Sequence, residues 1–329
     1  MQAMLLGLDT SSYQLAAGLG EWRPQHSPLM RLEYFFRKAA ELCLQGVSIS
    51  DLRLLERADY GYLSSLRRAA EQDGLFLQLT YTGFRSDHLQ DTVRVAGALG
   101  CKSLSFRPLF ERPLSEQSMR IRLQEVADLL AQALPVAERY SVGIALAGGG
   151  VLTSEEIFNL CEATEGELLT LCLDPASALC VLEDPVDWAQ ELAPNASCVQ
   201  ISDYQLVSDP AGARLFSCAL GDGIVNITGM LEVLRRASPE AYLLLATPGE
   251  SISLPMLDNV FLERLHHLRP AQLARMVQLL RERGLESPPS APQGPALPED
   301  EILAAEEERF QQSLEWLRSH LAEEESAGE

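Results

Sequence analysis

The sequence predicts an α/β fold, a single (β/α)8 barrel followed by a C-terminal helical extension. Three observations carry this. Eight short apolar runs alternate with helical patterns between residues 4 and 250, the strand number and chain length of a closed parallel barrel. The runs are three to six residues long and bounded by turn residues, which suits short strands buried on both faces. The competing architecture, a doubly wound open sheet, normally carries a glycine-rich phosphate loop after its first strand, and LGLDTSSY at residues 6–13 has none.

In chain order, residues 4–8 (MLLGL) form the first strand. Ser27-Pro28 offers a helix start, a capping side chain followed by a proline whose missing N–H costs nothing in the first turn. Leu32, Phe35, Phe36, Ala39, Ala40 and Cys43 then recur at helical spacing, and Gly46 is expected to end that helix. Residues 47–49 are a second strand, Tyr60–Gln72 a helix stopped by Asp73-Gly74, and residues 75–79 (LFLQL) a third strand. Ser86-Asp87 opens a helix with Leu89, Val93, Ala96 and Leu99 on one side, closed by Gly100. Residues 101–106 (CKSLSF) are strand four; residues 115–140 are a long helix with a bend expected at Pro135. Residues 142–147 (VGIALA) are strand five, and Thr153-Ser-Glu-Glu156 is a capping box at the start of the next helix. The run Gly148-Gly149-Gly150 lacks dinucleotide-binding spacing and is assigned no cofactor.

The stretch 167–207 organises the rest. It holds two apolar runs, residues 168–173 and 198–201, joined through the helical segment DPVDWAQELA. This is a parallel βαβ unit. Acidic residues stand just past the runs, Asp174 and Asp203, at the strand ends where barrels of this kind place their chemistry. Residues 227–236 are a helix and residues 242–245 (YLLL) the eighth strand.

The domain reading is a barrel over residues 1–284, a proline-rich linker over 285–298 and an acidic amphipathic helix over 299–329. The last segment has eleven acidic residues against Arg309 and Arg318, a net charge of −9. Phe310, Leu314, Leu317 and Leu321 make one apolar stripe, with Trp316 beside it. Docking on the chain's own barrel is the first expectation and docking on another subunit the second. The runs Glu306–Glu308 and Glu323–Glu325 are expected to stay solvated.

Composition narrows the function classes. With 329 residues and 47 % hydrophobic content, the chain can bury a large core without staples. A net charge of −21 argues against binding nucleic acid or anionic lipid. No apolar run is long enough for a membrane span, and the N-terminus lacks signal-peptide features. Seven cysteines without a C-x-x-C pair are expected to be reduced, mostly buried thiols, which points to the cytoplasm.

Several segments together resemble the sugar phosphate isomerase/epimerase family with a xylose-isomerase-like barrel. They are RKAAELCLQGV, DTVRVAGALGCKSL, GIALAGGGVLTSEE, LCLDPASAL, CVQISDYQL, LGDGIVNITGMLEVLR and LLATPGE, in that order. The resemblance covers about residues 4–250 and implies a divalent metal at the C-terminal mouth of the barrel. The ligands would be a Glu, an Asp, a His and a Glu after strands five to eight. Such an ion polarises a sugar oxygen while carboxylates move protons at carbon. Matched residue by residue, these positions are Ala147, Asp174, Gln200 and Ala246. One of the four ligands is retained.

The histidines give an independent check: His26, His88, His266, His267 and His320 all lie away from strand ends and show no metal-binding spacing. No metal or other cofactor is therefore expected. The candidate residues are Asp174 for catalysis and Tyr13, Arg107, Gln200 and Asp203 for substrate contact. Cys172 and Cys198 read as buried, without a histidine to act as base.

Three functional readings stay open. The first is a degenerate member that binds a sugar or sugar-phosphate ligand or a partner protein. The second is an active isomerase, epimerase, or related lyase or decarboxylase with a rearranged site. The third is a structural or regulatory subunit, in a homo-oligomer or with another protein, that acts through its acidic tail.

Overall fold

A computed structural model of the chain describes residues 4–19, 24–56, 58–164, 166–249, 251–287 and 298–327. Strands β1 (Leu6–Asp9), β2 (Gly46–Ile49), β3 (Phe76–Gly83), β4 (Ser103–Pro108), β5 (Gly143–Leu146), β6 (Leu169–Leu173) and β7 (Ala196–Ile201) stand side by side. An eighth, Tyr242–Leu245, closes the barrel between β7 and β1. It is β10 in chain order, because a hairpin of β8 (Asp203–Asp209) and β9 (Gly212–Cys218) precedes it. All eight barrel pairings are parallel.

The period-two alternation of strands sorts side chains into two cores. Leu6, Leu8, Val47, Ile49, Leu77, Leu79, Leu104, Phe106, Ile144, Leu146, Val199, Ile201, Leu243 and Leu245 belong to the large core shared with the helices. The intervening residues face the lumen. Phe76, Ala145, Ala147, Cys172, Cys198, Tyr242 and Leu244 form a separate buried cluster there.

The outer layer is built of α1 (Leu32–Glu41), α2 (Tyr60–Gln72), α3 (Ser86–Leu99), α4 (Glu116–Tyr140), α5 (Ser154–Ala163), α6 (Pro175–Cys180), α7 (Pro185–Leu192) and α8 (Ile227–Ala237). The capping box at Thr153 and Glu156 forms as the sequence predicts. Helix α4 is one assigned helix that contains Pro135.

Two punctuation signals mean something else. Gly46 does not end α1; it lies inside β2. A Cβ there would come within 2.3 Å of the Phe76 ring, so the glycine answers a close approach from its paired residue on the neighbouring strand β3. The chain instead reverses after Leu42 through Cys43, which adopts φ 53°. Ser27-Pro28 does not open the helix either: α1 starts at Leu32 after an extended Arg31. The N–H groups of Gln25 and Ser27 are instead held by the Glu299 carboxylate at 2.8 and 2.6 Å.

The β8–β9 hairpin was not anticipated. With β11 (Ser251–Leu254) it makes a three-stranded antiparallel sheet of order β11-β9-β8. Its turn, Asp209-Pro-Ala-Gly212, carries a readable signal. The Asp209 carboxylate accepts from the Ala211 N–H at 2.9 Å, and Gly212 holds φ 145° against Met256 and Leu254. After α9 (Asn259–Arg264) and α10 (Pro270–Arg283), Leu285 exchanges backbone hydrogen bonds with Leu206 and Ser208 of β8. Residue 285 is thus clipped to the hairpin, while 288–297 of the expected linker lie outside the described residues.

Helix α11 (Glu299–Ala327) docks on its own barrel. Phe310, Leu314 and Leu317 are buried and Leu321 is partly so. The Glu306 part of the solvation expectation is corrected: its buried carboxylate accepts from the N–H groups of Leu15 and Ala16 at 2.8 and 2.9 Å. The reason is geometric, since those two N–H groups face the packed side of the helix and need an acceptor. The side chains of Glu323–Glu325 lie outside the described residues.

Candidate functional site

The alternation of β4 turns Ser103, Ser105 and Arg107 toward the lumen, opposite to Leu104 and Phe106. Arg107 is the last of these before the strand ends, so its long side chain enters the C-terminal mouth. Continuing inward from Cys172 on β6 gives Asp174; from Cys198 on β7, Gln200; from Leu244 on β10, Ala246; from Ala145 on β5, Ala147. The register derived from the sequence therefore places all four matched positions on the lumen side.

Arg107 crosses to the far wall. Its Nη2 donates to Gln200 Oε1 and lies 3.7 Å from Asp174 Oδ2. Burial works against the guanidinium charge, but Asp174, then Cys172 and Asp9, outweigh it and the pKa is raised. Asp174 itself is fixed from behind as the N-cap of α6, with Oδ1 accepting from the Ala176 N–H at 3.0 Å and Oδ2 from Ser177 Oγ at 3.2 Å. Around this cluster several lumen polar atoms are buried without a partner among the described residues: Ser48 Oγ, Gln78 Oε1, Ser105 Oγ and Arg107 Nε. Cys172 and Cys198 face one another across β6 and β7. Hydrogen bonding from Cys198, then Arg107, holds the Cys172 thiol low despite burial, while burial pushes Cys198 well up.

The structure thus brings together Asp174, Arg107 and Gln200 of the sequence-derived candidates. It places Tyr13 and Asp203 elsewhere. Tyr13 sits in the buried outer core, its ring 5.3 Å from Phe310 and 5.0 Å from Lys38 Nζ. The turn Thr10–Tyr13, capped by Asp9, rotates it away from the mouth. Asp203 is fully buried, and both its oxygens are taken by backbone N–H groups of Tyr204, Gly221, Gly223 and Val225. A cavity of about 1090 Å³ lies outside the mouth, between α7 and α10, and is lined by Trp188, Glu183, Asp187, His267 and Met276. Sequence reasoning gave no sign of it, because its walls come from helices whose packing the pattern does not specify.

The family model for the xylose isomerase-like TIM barrel matches residues 80–260, more than half of the chain. The chain belongs to this family. A relative, 3-oxo-isoapionate decarboxylase of Pectobacterium atrosepticum, is 22 % identical over 236 residues, 70 % of this chain and 81 % of that protein. The uncharacterized protein YihM of Escherichia coli is 25 % identical over 197 residues, 59 % of each chain. Among solved structures, L-ribulose 3-epimerase superposes with a TM-score of 0.59 at 12 % identity, covering 97 % of this chain and 96 % of that one. The IOLI protein with a bound zinc atom gives 0.58 at 11 % identity, covering 94 % and 98 %.

The residues at the mouth do not fit the metal that the family pattern implies. Alanine at 147 and 246 has no donor atom, and a cationic side chain already faces Asp174 and Gln200. Among the described residues, no group of three or more His, Cys, Asp and Glu is arranged to hold an ion. Nor is any helix among them long and apolar enough to cross a membrane.

Proposed function

We propose that this protein is a xylose-isomerase-like barrel that has given up metal chemistry and binds a hydroxylated, sugar-like ligand at its mouth. The observation that carries the reading is Arg107 standing between Asp174 and Gln200, where the family pattern expects a dication. A guanidinium, a carboxylate and an amide provide donors and acceptors for ligand hydroxyls without any metal. Stranded polar atoms on Ser48, Gln78 and Ser105 add hydrogen-bonding capacity deeper in the lumen. The seven cysteines, none paired in a disulfide among the described residues, support a cytoplasmic reading.

The test combines elemental analysis of the purified protein with thermal-shift titration using D-fructose, D-gluconate and inorganic phosphate as probes. The expected result is substoichiometric metal and stabilisation by at least one hydroxylated probe, lost in Gln200→Ala. Stoichiometric manganese, cobalt or zinc that disappears in Asp174→Ala would overturn the reading.

A second reading, decarboxylation of a 3-oxo sugar acid, is favoured by the similarity to 3-oxo-isoapionate decarboxylase. When such an acid loses carbon dioxide, the bonding pair moves onto the neighbouring carbonyl as an enolate, whose oxygen a fixed guanidinium can stabilise. Carbon dioxide release from a 3-oxo acid, abolished in Arg107→Met, selects this alternative. An isomerase or epimerase with the same rearranged site would instead interconvert sugars without loss of carbon.

A further inference from the structure

We infer that the guanidinium of Arg107 is the resident cation of the barrel mouth, occupying the place of the divalent metal. The mouth would then offer a fixed positive charge to a carbonyl or anionic oxygen of its ligand. This rests on the metal-free reading above.

Positions 174, just past β6, and 200, on the adjacent strand β7, both address the same Nη2 atom, Gln200 through a hydrogen bond and Asp174 at 3.7 Å. The substitution at 200 makes chemical sense in those terms. A glutamine oxygen accepts from a guanidinium at every pH, whereas a histidine there would become a like charge when protonated. The alanines make sense too. A dication can balance two or three carboxylates, but a monovalent guanidinium balances one, and Asp174 supplies it. A carboxylate at position 147 or 246, both fully buried, would be left unpaired, which is strongly unfavourable. The three departures from the family's ligand pattern, at 147, 200 and 246, therefore read together with Arg107 as one exchange of cation rather than as independent losses.

Arg107 also has capacity to spare. Of the five donors of a guanidinium, one is engaged at Gln200. Nε is buried and unpartnered among the described residues. Asp174 is held by the α6 N-terminus and Ser177, so it orients the arginine without following it.

The test is an epistasis experiment on metal affinity, read by calorimetry with Mn²⁺ and Co²⁺. Restoring the ligands as Ala147→Glu, Gln200→His and Ala246→Glu should yield little binding while Arg107 is present. Adding Arg107→Ala should tighten binding by roughly a hundred-fold or more, because a cation a few ångströms from the ion is removed. Circular dichroism checks the fold of each variant. Should the buried glutamates prevent folding, the milder pair serves: Gln200→His alone against Gln200→His with Arg107→Ala, read by Zn²⁺-induced thermal stabilisation. Equal metal affinity with and without Arg107 in either comparison overturns the inference. Because the readout is metal on designed variants, it is separable from failure of the wild-type protein to bind a sugar-like probe.

Discussion

A chain shortened to end at Ser287 is expected to melt roughly ten degrees lower than the full protein, with unchanged oligomeric state. Burying Phe310, Leu314, Leu317 and part of Leu321 contributes on the order of 6–10 kcal/mol before ordering entropy is deducted. Removing α11 also uncovers Tyr13, which Phe310 covers, and frees the Leu15 and Ala16 N–H groups. It releases further ties at the mouth, from Arg309 to the Thr247 carbonyl and from the Leu220 N–H to Ser313 Oγ, both at 3.1 Å. The tail is thus a strap across the loops that follow β1, β9 and β10. An unchanged melting temperature with loss of a dimer would show that its work is done between subunits. Glu306 adds a pH signature. Burial raises its pKa above 4.5, so its contribution to stability is fully present below the usual carboxylate range and is lost as pH rises through the folded value. Melting temperature should therefore fall more, as pH rises from the ordinary carboxylate range to neutrality, in the wild type than in Glu306→Gln, and equal slopes would contradict this.

The barrel was legible because its information is local. Apolar runs such as VGIALA and LLTLCL, glycine stops such as Gly100 and the Thr153 capping box each specify an element without help from distant residues. The lumen side of Asp174 and Gln200 was legible for the same reason, since alternation along a strand fixes which face a residue takes. What was not legible depends on long-range contacts. Gly46 read as a helix stop because the Phe76 ring that demands it is thirty residues away. Ser27-Pro28 read as a cap because nothing local reveals that Glu299 claims its backbone. Arg107 read only as a substrate-contact candidate after strand four; the folded barrel shows it spanning from β4 to β6 and β7. The hairpin could have been found from Asp209-Pro-Ala-Gly212 between its two strands, but the expectation of a helix after every barrel strand hid it.

Asp203→Ala is expected to destabilise the protein by on the order of 4 kcal/mol, which would set Asp203 apart from a ligand-contact residue. Its carboxylate is the hub of the hairpin's return to the barrel. Oδ1 accepts from the N–H groups of Tyr204 and Val225 at 2.8 and 3.0 Å, and Oδ2 from Gly221 and Gly223 at 3.0 and 2.9 Å. The chain wraps so closely that a Cβ at Gly223 would lie 2.1 Å from Oδ1, and Gly221 adopts φ 91° beneath Trp316. Alanine at 203 leaves four N–H groups with no acceptor in a water-poor site, and each unsatisfied buried donor costs about 1–3 kcal/mol before the loop relaxes. Asp203→Asn is a sharper probe, because the amide oxygen serves one pair of donors while its NH₂ opposes the other. It should recover only part of the loss. Urea unfolding measures both, and the loop's link to α11 through Leu220 and Ser313 predicts that the tail loosens as well. If Asp203 instead served a ligand, Asp203→Ala would leave the unfolding midpoint nearly unchanged and weaken only probe binding, and the hub assignment would then fall.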